Sequence, residues 1–245
     1  MNDPSPDTGA AAPRGGASWR HLFAVLTSPS EGFAALAARP TFALVLVLLA
    51  VLGVSAVWIG MSKVTVQDFL STIEESGREV PPEIREDPER FVSIMRWTQA
   101  GSAAVLAPAM YLALAGIFLA LFRLLGSDLA FRQSLATTVH GFLPFGLAAI
   151  AGIAIALGKD QIRLQDMQSG GLVPSHLGIF AGEDAGKLLS SLLGSLDLFS
   201  AWCVALLATG YRTVARVSRG AAWGVVGAVW ALGILIKLVF IVVFS

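Results

Sequence analysis

Five apolar runs, each close to the width of a bilayer, constrain this chain more than anything else in it: residues 41–60, 101–122, 136–157, 188–211 and 221–244. A helix of about 20 apolar residues crosses the roughly 30 Å hydrocarbon layer, and one soluble domain seldom builds five such segments into a single core. Of the residues, 55% are hydrophobic and 14% charged, and the mean hydropathy of +0.72 asks for lipid as solvent. The expected fold is all-α, a polytopic membrane helix bundle of about five transmembrane helices with an N-terminal interfacial helix.

Residues 1–17 are rich in Pro, Gly, Ala and Asp, and read as a disordered cytoplasmic tail. Residues 18–40 read as an interfacial amphipathic segment, with Trp19, Leu22, Phe23, Val25 and Leu26 forming a short apolar patch. Ser28, Pro29 and Glu31 then have the order of a capping box, and Phe33, Leu36 and Ala37 share a helical face that is expected to lie on the membrane. Residues 41–245 form the five-span domain. Its first run follows about forty mostly polar residues and is too long for a cleaved signal, so it reads as a retained anchor.

Two hydrophilic loops interrupt the runs. The first carries Asp68, Glu74, Glu75, Glu79, Glu83, Glu86, Asp87 and Glu89, and within it Val64, Val66, Phe69, Leu70 and Ile73 recur at helical spacing. Asp87-Pro88 is a helix start from which the chain should run directly into the second span, past Met95 and Trp97. The second loop, residues 158–187, has Gly170-Gly171 and Pro174 as turn signals. The two short links hold Arg123, Arg132, Arg212, Arg216 and Arg219 against one acid, Asp128. The positive-inside bias places these links and the N-terminus in the cytoplasm, and the C-terminus outside.

Lys plus Arg equal Asp plus Glu at 17 each, which gives no field for nucleic acid. Gly182 to Lys187 is one residue short of a phosphate loop and is followed by Leu188. His21, His140 and His176 lie in separate regions without metal-ligand spacing, and the lone Cys203 lies inside an apolar run. No catalytic, metal or cofactor-binding residues are expected.

The polar residues inside the spans are Tyr111, His140, Asp197 and Lys237, and intramembrane ionisable groups are functional candidates by default. Counting about 1.5 Å per residue along unbroken helices puts Asp197 and Lys237 at similar depths, which suits an ion pair with Tyr111 in reach of the same carboxylate; the alternative is that Lys237 snorkels outward and Asp197 is protonated or faces water. Gly220, Gly224 and Ala228 make a small-residue strip, expected to serve packing inside the bundle in preference to a dimer face.

Ser28-Pro29 with Phe33, Leu36 and Pro40 ahead of the first span, then Leu124-Leu125-Gly126, Phe131-Arg132-Gln133-Ser134-Leu135 and Pro144, resemble the Yip family of five-span membrane proteins over residues 22–244. The resemblance implies a cytoplasmic N-terminus. Eukaryotic members bind small prenylated GTPases through motifs of the Asp-Leu-Tyr-Gly-Pro and Gly-Tyr kind. Neither motif is recognised here, which argues against GTPase binding and for a bacterial-type member in a plasma (inner) membrane. The expected function is a non-enzymatic organiser of membrane proteins or lipids, whose partners are the lipid bilayer, other membrane proteins or a second copy. A small permease or transporter subunit using the buried polar residues is the alternative.

Overall fold

The computed structural model describes residues 17–75, 77, 79–168, 171–181 and 186–244. The tail before residue 17 lies outside these, as do residues 182–185 of the phosphate-loop segment. Twelve α-helices follow one another among the described residues: α1 (Ala17–Thr27), α2 (Pro29–Ala38), α3 (Ala43–Ser62), α4 (Val66–Glu75), α5 (Pro82–Glu86), α6 (Pro88–Leu124), α7 (Phe131–Gly141), α8 (Leu143–Leu157), α9 (Leu164–Gln168), α10 (Lys187–Ser195), α11 (Leu198–Val214) and α12 (Arg219–Phe244). Four stretches are long and apolar enough to cross a membrane: α3, α6, α7 with α8, and α12; α11 is a shorter apolar helix. The molecule is therefore an all-α polytopic bundle.

The short links meet at one end of the bundle, where the Ser127 hydroxyl donates to the Ala215 carbonyl at 2.7 Å. The long loops meet at the other end. There the Ile162 amide donates to the Lys63 carbonyl at 3.1 Å, the Leu164 amide to the Asp68 carboxylate at 2.7 Å, and Met61, Val64 and Leu164 bury a small apolar cluster.

Helix α6 begins as expected, with the Asp87 carboxylate accepting from the Arg90 amide at 3.1 Å and Pro88 in the first turn. Its 37 residues make it about 55 Å long, well beyond the hydrocarbon thickness. The excess projects at the loop end, where Trp97 packs edge-on to Trp58 with ring centroids 4.6 Å apart, and the Arg96 guanidinium lies 5.9 Å from the Trp58 centroid. Such amphipathic rings belong at the headgroup layer.

Three expectations about the chain path are corrected. The first concerns the N-terminal segment, which is a helical hairpin tucked under the link end with its apolar face on protein. Val25, Phe33 and Leu36 are fully buried, while Trp19 and Phe23 face outward. The hairpin closes because Gly32 has no side chain: a Cβ there would lie 2.6 Å from the Val25 nitrogen. The capping box is not made, since the Ser28 side chain caps nothing.

The second concerns the run 136–157, expected as one helix kinked at Pro144: it is two helices, α7 beginning at Phe131 and α8, with the break at Phe142. Pro144 sits in the first turn of α8, having no amide to offer the preceding turn and a ring that crowds the carbonyl four residues back.

The third concerns the run 188–211, broken at Leu196 and Asp197. The loop before it stitches the break: the Leu177 amide donates to the Leu196 carbonyl at 3.0 Å, and the Leu198 amide to the Ser175 carbonyl at 3.1 Å. Irregular backbone at this depth survives only when protein satisfies it in this way.

Candidate functional site

The break before α11 positions the most polar feature of the apolar domain. Asp197 is the N-cap of α11; its carboxylate accepts from the Phe199 amide at 2.7 Å, from the Ser200 amide at 3.1 Å and from the Ser200 hydroxyl. A carboxylate competes well for the free amides of a helix start, and the positive end of the helix dipole favours its charge. This local preference breaks the run. The depth count behind the expected ion pair assumed an unbroken helix, and the pair is not formed. Lys237 instead donates to the Ser195 hydroxyl at 3.0 Å and to the Ser191 carbonyl at 3.5 Å.

Asp197 and Lys237 nevertheless border one cavity of about 540 Å³ between α6, α8, α11 and α12. Its walls are mainly apolar, with Met110, Leu114, Phe118, Phe145, Val226 and Trp230 among them, and Ser195, Ser200, Asp197 and Lys237 form its polar part. Asp197 also borders a smaller cavity of about 250 Å³, lined by Ala56, Phe145, Gly152 and Val173, so it stands in the wall between two spaces.

The other two candidates lie elsewhere. Tyr111 does not reach the carboxylate; its ring tilts against Phe142 with centroids 5.2 Å apart. His140 is buried in α7, its Nδ1 bonded to the Ala136 carbonyl at 2.9 Å, which makes Nδ1 the donor and leaves Nε2 without a hydrogen-bond partner. The four residues therefore do not form one site.

A different polar group, not singled out in the sequence, holds the centre together. Ser134 and Thr138 lie one turn apart on α7, and both reach Tyr211 of α11. With one hydrogen per hydroxyl, Ser134 donates to the Ala115 carbonyl of α6 (2.7 Å), Thr138 donates to the Tyr211 oxygen (2.8 Å), and the Tyr211 hydrogen goes to Ser134, whose carbonyl (3.1 Å) and hydroxyl (2.9 Å) both lie within reach. Phe118 and Phe122 pack on the Tyr211 ring, each with its centroid 4.7 Å away. The signal was a polar i, i+3, i+4 pattern, Ser134, Thr137 and Thr138, at the start of an apolar run.

A Gly-Tyr pair is present after all, as Gly210-Tyr211. Gly210 has the α2 plug against it: a Cβ there would come within 2.8 Å of both the Phe33 ring and the Thr137 methyl. In this chain the pair builds structure, its glycine admitting Phe33 and its tyrosine tying α6, α7 and α11.

The small-residue strip also differs from expectation. Gly220, Gly224 and Ala228 are exposed, and a Cβ at either glycine would meet nothing within 4 Å. It packs on no part of the described chain. Among the described residues, no group of three His, Cys, Asp or Glu side chains is placed to hold a metal ion.

Compared with known proteins, the chain matches no curated protein and no solved structure. A family model described as the Yip1 domain matches residues 23–241, from the α1–α2 hairpin nearly to the end of α12. The chain, a bundle of apolar helices joined by hydrophilic loops, belongs to the Yip1 domain family.

Proposed function

We propose that this Yip1-domain protein is a non-enzymatic organiser of other membrane components, proteins or lipids, which it holds against its lateral faces. The observation that carries the reading is α12: only 6% of its apolar window is buried inside the protein. Leu232, Leu235, Ile236, Val239 and Phe240 face outward, as do Gly220, Gly224 and Ala228 in its N-terminal half. A helix this uncovered is available to whatever lies beside it in the bilayer. The alternative of a permease has less support, because Asp197 and Lys237 are each engaged in local bonds.

The basic links and the α1–α2 hairpin share one end, so the charge bias puts that end in the cytoplasm and the two long loops outside, in a bacterial-type plasma membrane. Crosslinking in native membranes tests the organising role: the same membrane components captured reproducibly, with no solute flux in reconstituted vesicles, is the expected result. Solute flux without capture overturns it in favour of the permease.

A further inference from the structure

The cavity between α6 and α12 is apolar along its length and polar at one end, a shape that selects an amphiphile. We infer that it seats an acyl chain of a phospholipid, with the lipid's anionic phosphate at Lys237. This rests on the organising role and names a lipid class as one thing held.

Size and length both fit. The cavity of about 540 Å³ is within the size range of small-molecule sites and is partly open. From Val226 to Lys237, both on its α12 wall, the helix rises about 16 Å, or half of a roughly 30 Å hydrocarbon layer. The cavity is therefore as deep as one leaflet.

Charge chooses the headgroup. Among the described residues, Lys237 bonds neutral oxygens, those of Ser195 and Ser191, and its ammonium has a third N–H to offer. The one acid lining the cavity, Asp197, is already compensated by amides and a hydroxyl at the start of α11. Among the described residues, the polar end thus presents a cation with no ion-pair partner beside an apolar slot. A neighbouring protein helix could fill the slot, but only an anion-bearing amphiphile answers both parts. Phosphate bound to a chain-bearing glycerol is the anion that a bilayer always supplies.

The test uses the full chain in vesicles of phosphatidylethanolamine and phosphatidylglycerol, with a photo-crosslinking residue in place of Val229 on the cavity wall. A phospholipid adduct is expected, and phosphatidylglycerol should outcompete diacylglycerol of the same chains by roughly tenfold, the worth of a charge-assisted hydrogen bond. Lys237→Gln should abolish that preference. Gly233→Leu should abolish the adduct, since a Cβ at Gly233 meets nothing within 4 Å and the side chain can enter the cavity with the fold retained. An adduct unchanged by Gly233→Leu, or a headgroup preference unchanged by Lys237→Gln, overturns the inference. Protein adducts without lipid adducts, when the crosslinking is repeated in native membranes, sink the lipid and leave the organising role standing. Neither kind of adduct there removes both.

Discussion

Two membrane-crossing stretches of this protein invert the habit of soluble folds. The 131–157 stretch is the least apolar of the four long ones and the most buried, with 39% of its window inside the protein, whereas the 219–243 stretch is among the most apolar and has 6% inside. On α7, Ser134, Thr137, Thr138 and His140 are all at most 1% exposed; on α12, Ala222 and Val226 are the buried apolar positions. The difference follows from the solvent. Lipid covers Leu and Val as well as a protein core does, so α12 gains little by turning inward, while hydroxyls and imidazoles find partners only among neighbouring helices.

The sharpest way to break the comparison is to empty the polar helix's neighbourhood and, separately, the apolar helix's surface. Phe33, fully buried against Gly210 and Thr137, fills the space under α7 and α11. Phe33→Ala should cost about 3–5 kcal/mol of folding free energy, measured by unfolding in mixed micelles. Leu235→Ala on the exposed face of α12 should cost less than about 0.5 kcal/mol. Equal losses would mean that α12 is packed against protein in a way the comparison denies.

The next effect isolates the hydroxyl chain. Tyr211→Phe keeps the ring between Phe118 and Phe122 and removes one oxygen, leaving Thr138 without its inter-helical partner. A loss of about 1–2 kcal/mol is expected, near the upper range for membrane hydrogen bonds because two helices lose their tie at once. No loss would show that burial of α7 does not depend on its polar side chains.

How much of this was legible in the residues follows the same division. The apolar runs and the start of α6 at Asp87-Pro88 were readable because each depends on local chemistry or on total hydropathy. At Phe142 the following Pro144 signals a kink but not a full break; the break at Leu196–Asp197 was not readable, because hydropathy does not register backbone discontinuity and Asp197 reads equally well as a buried charge. The burial of Phe33 was missed for a related reason: an amphipathic helix has the same pattern whether its apolar face meets lipid or protein. The Tyr211 chain joins residues 77 positions apart, and one sequence offers no signal of that pairing.

The third comparison sets Asp197 against Lys237. Asp197→Ala should cost about 1 kcal/mol through the lost cap, and Lys237→Gln less, since its bonds are to exposed neutral oxygens. The double variant should lose the sum, with a coupling below about 0.5 kcal/mol. A clearly smaller loss in the double variant would restore the ion pair that the broken helix removes.

The smallest expected effect is the one that says most about α12. Gly224 is exposed on the small-residue strip, and a Cβ there finds nothing within 4 Å, so Gly224→Leu has room in the isolated chain. Glycine in a helix interior is about 1 kcal/mol worse than alanine in water, and leucine is a good helix former, so the variant should fold as well as the parent or slightly better. Close helix approach in lipid, however, depends on the missing side chains of such a strip, because van der Waals contact between backbones takes the place of a hydrophobic drive. The measurement is therefore double: unfolding of the monomer, and energy transfer between donor- and acceptor-labelled copies diluted in the same bilayer. Unchanged unfolding with reduced transfer identifies the strip as a contact between copies. If both are unchanged, the strip faces only lipid and α12 is as solitary in the membrane as it is in the chain. Reduced unfolding stability alone would place a neighbour against Gly224 within the chain, and the contrast between α7 and α12 would narrow accordingly.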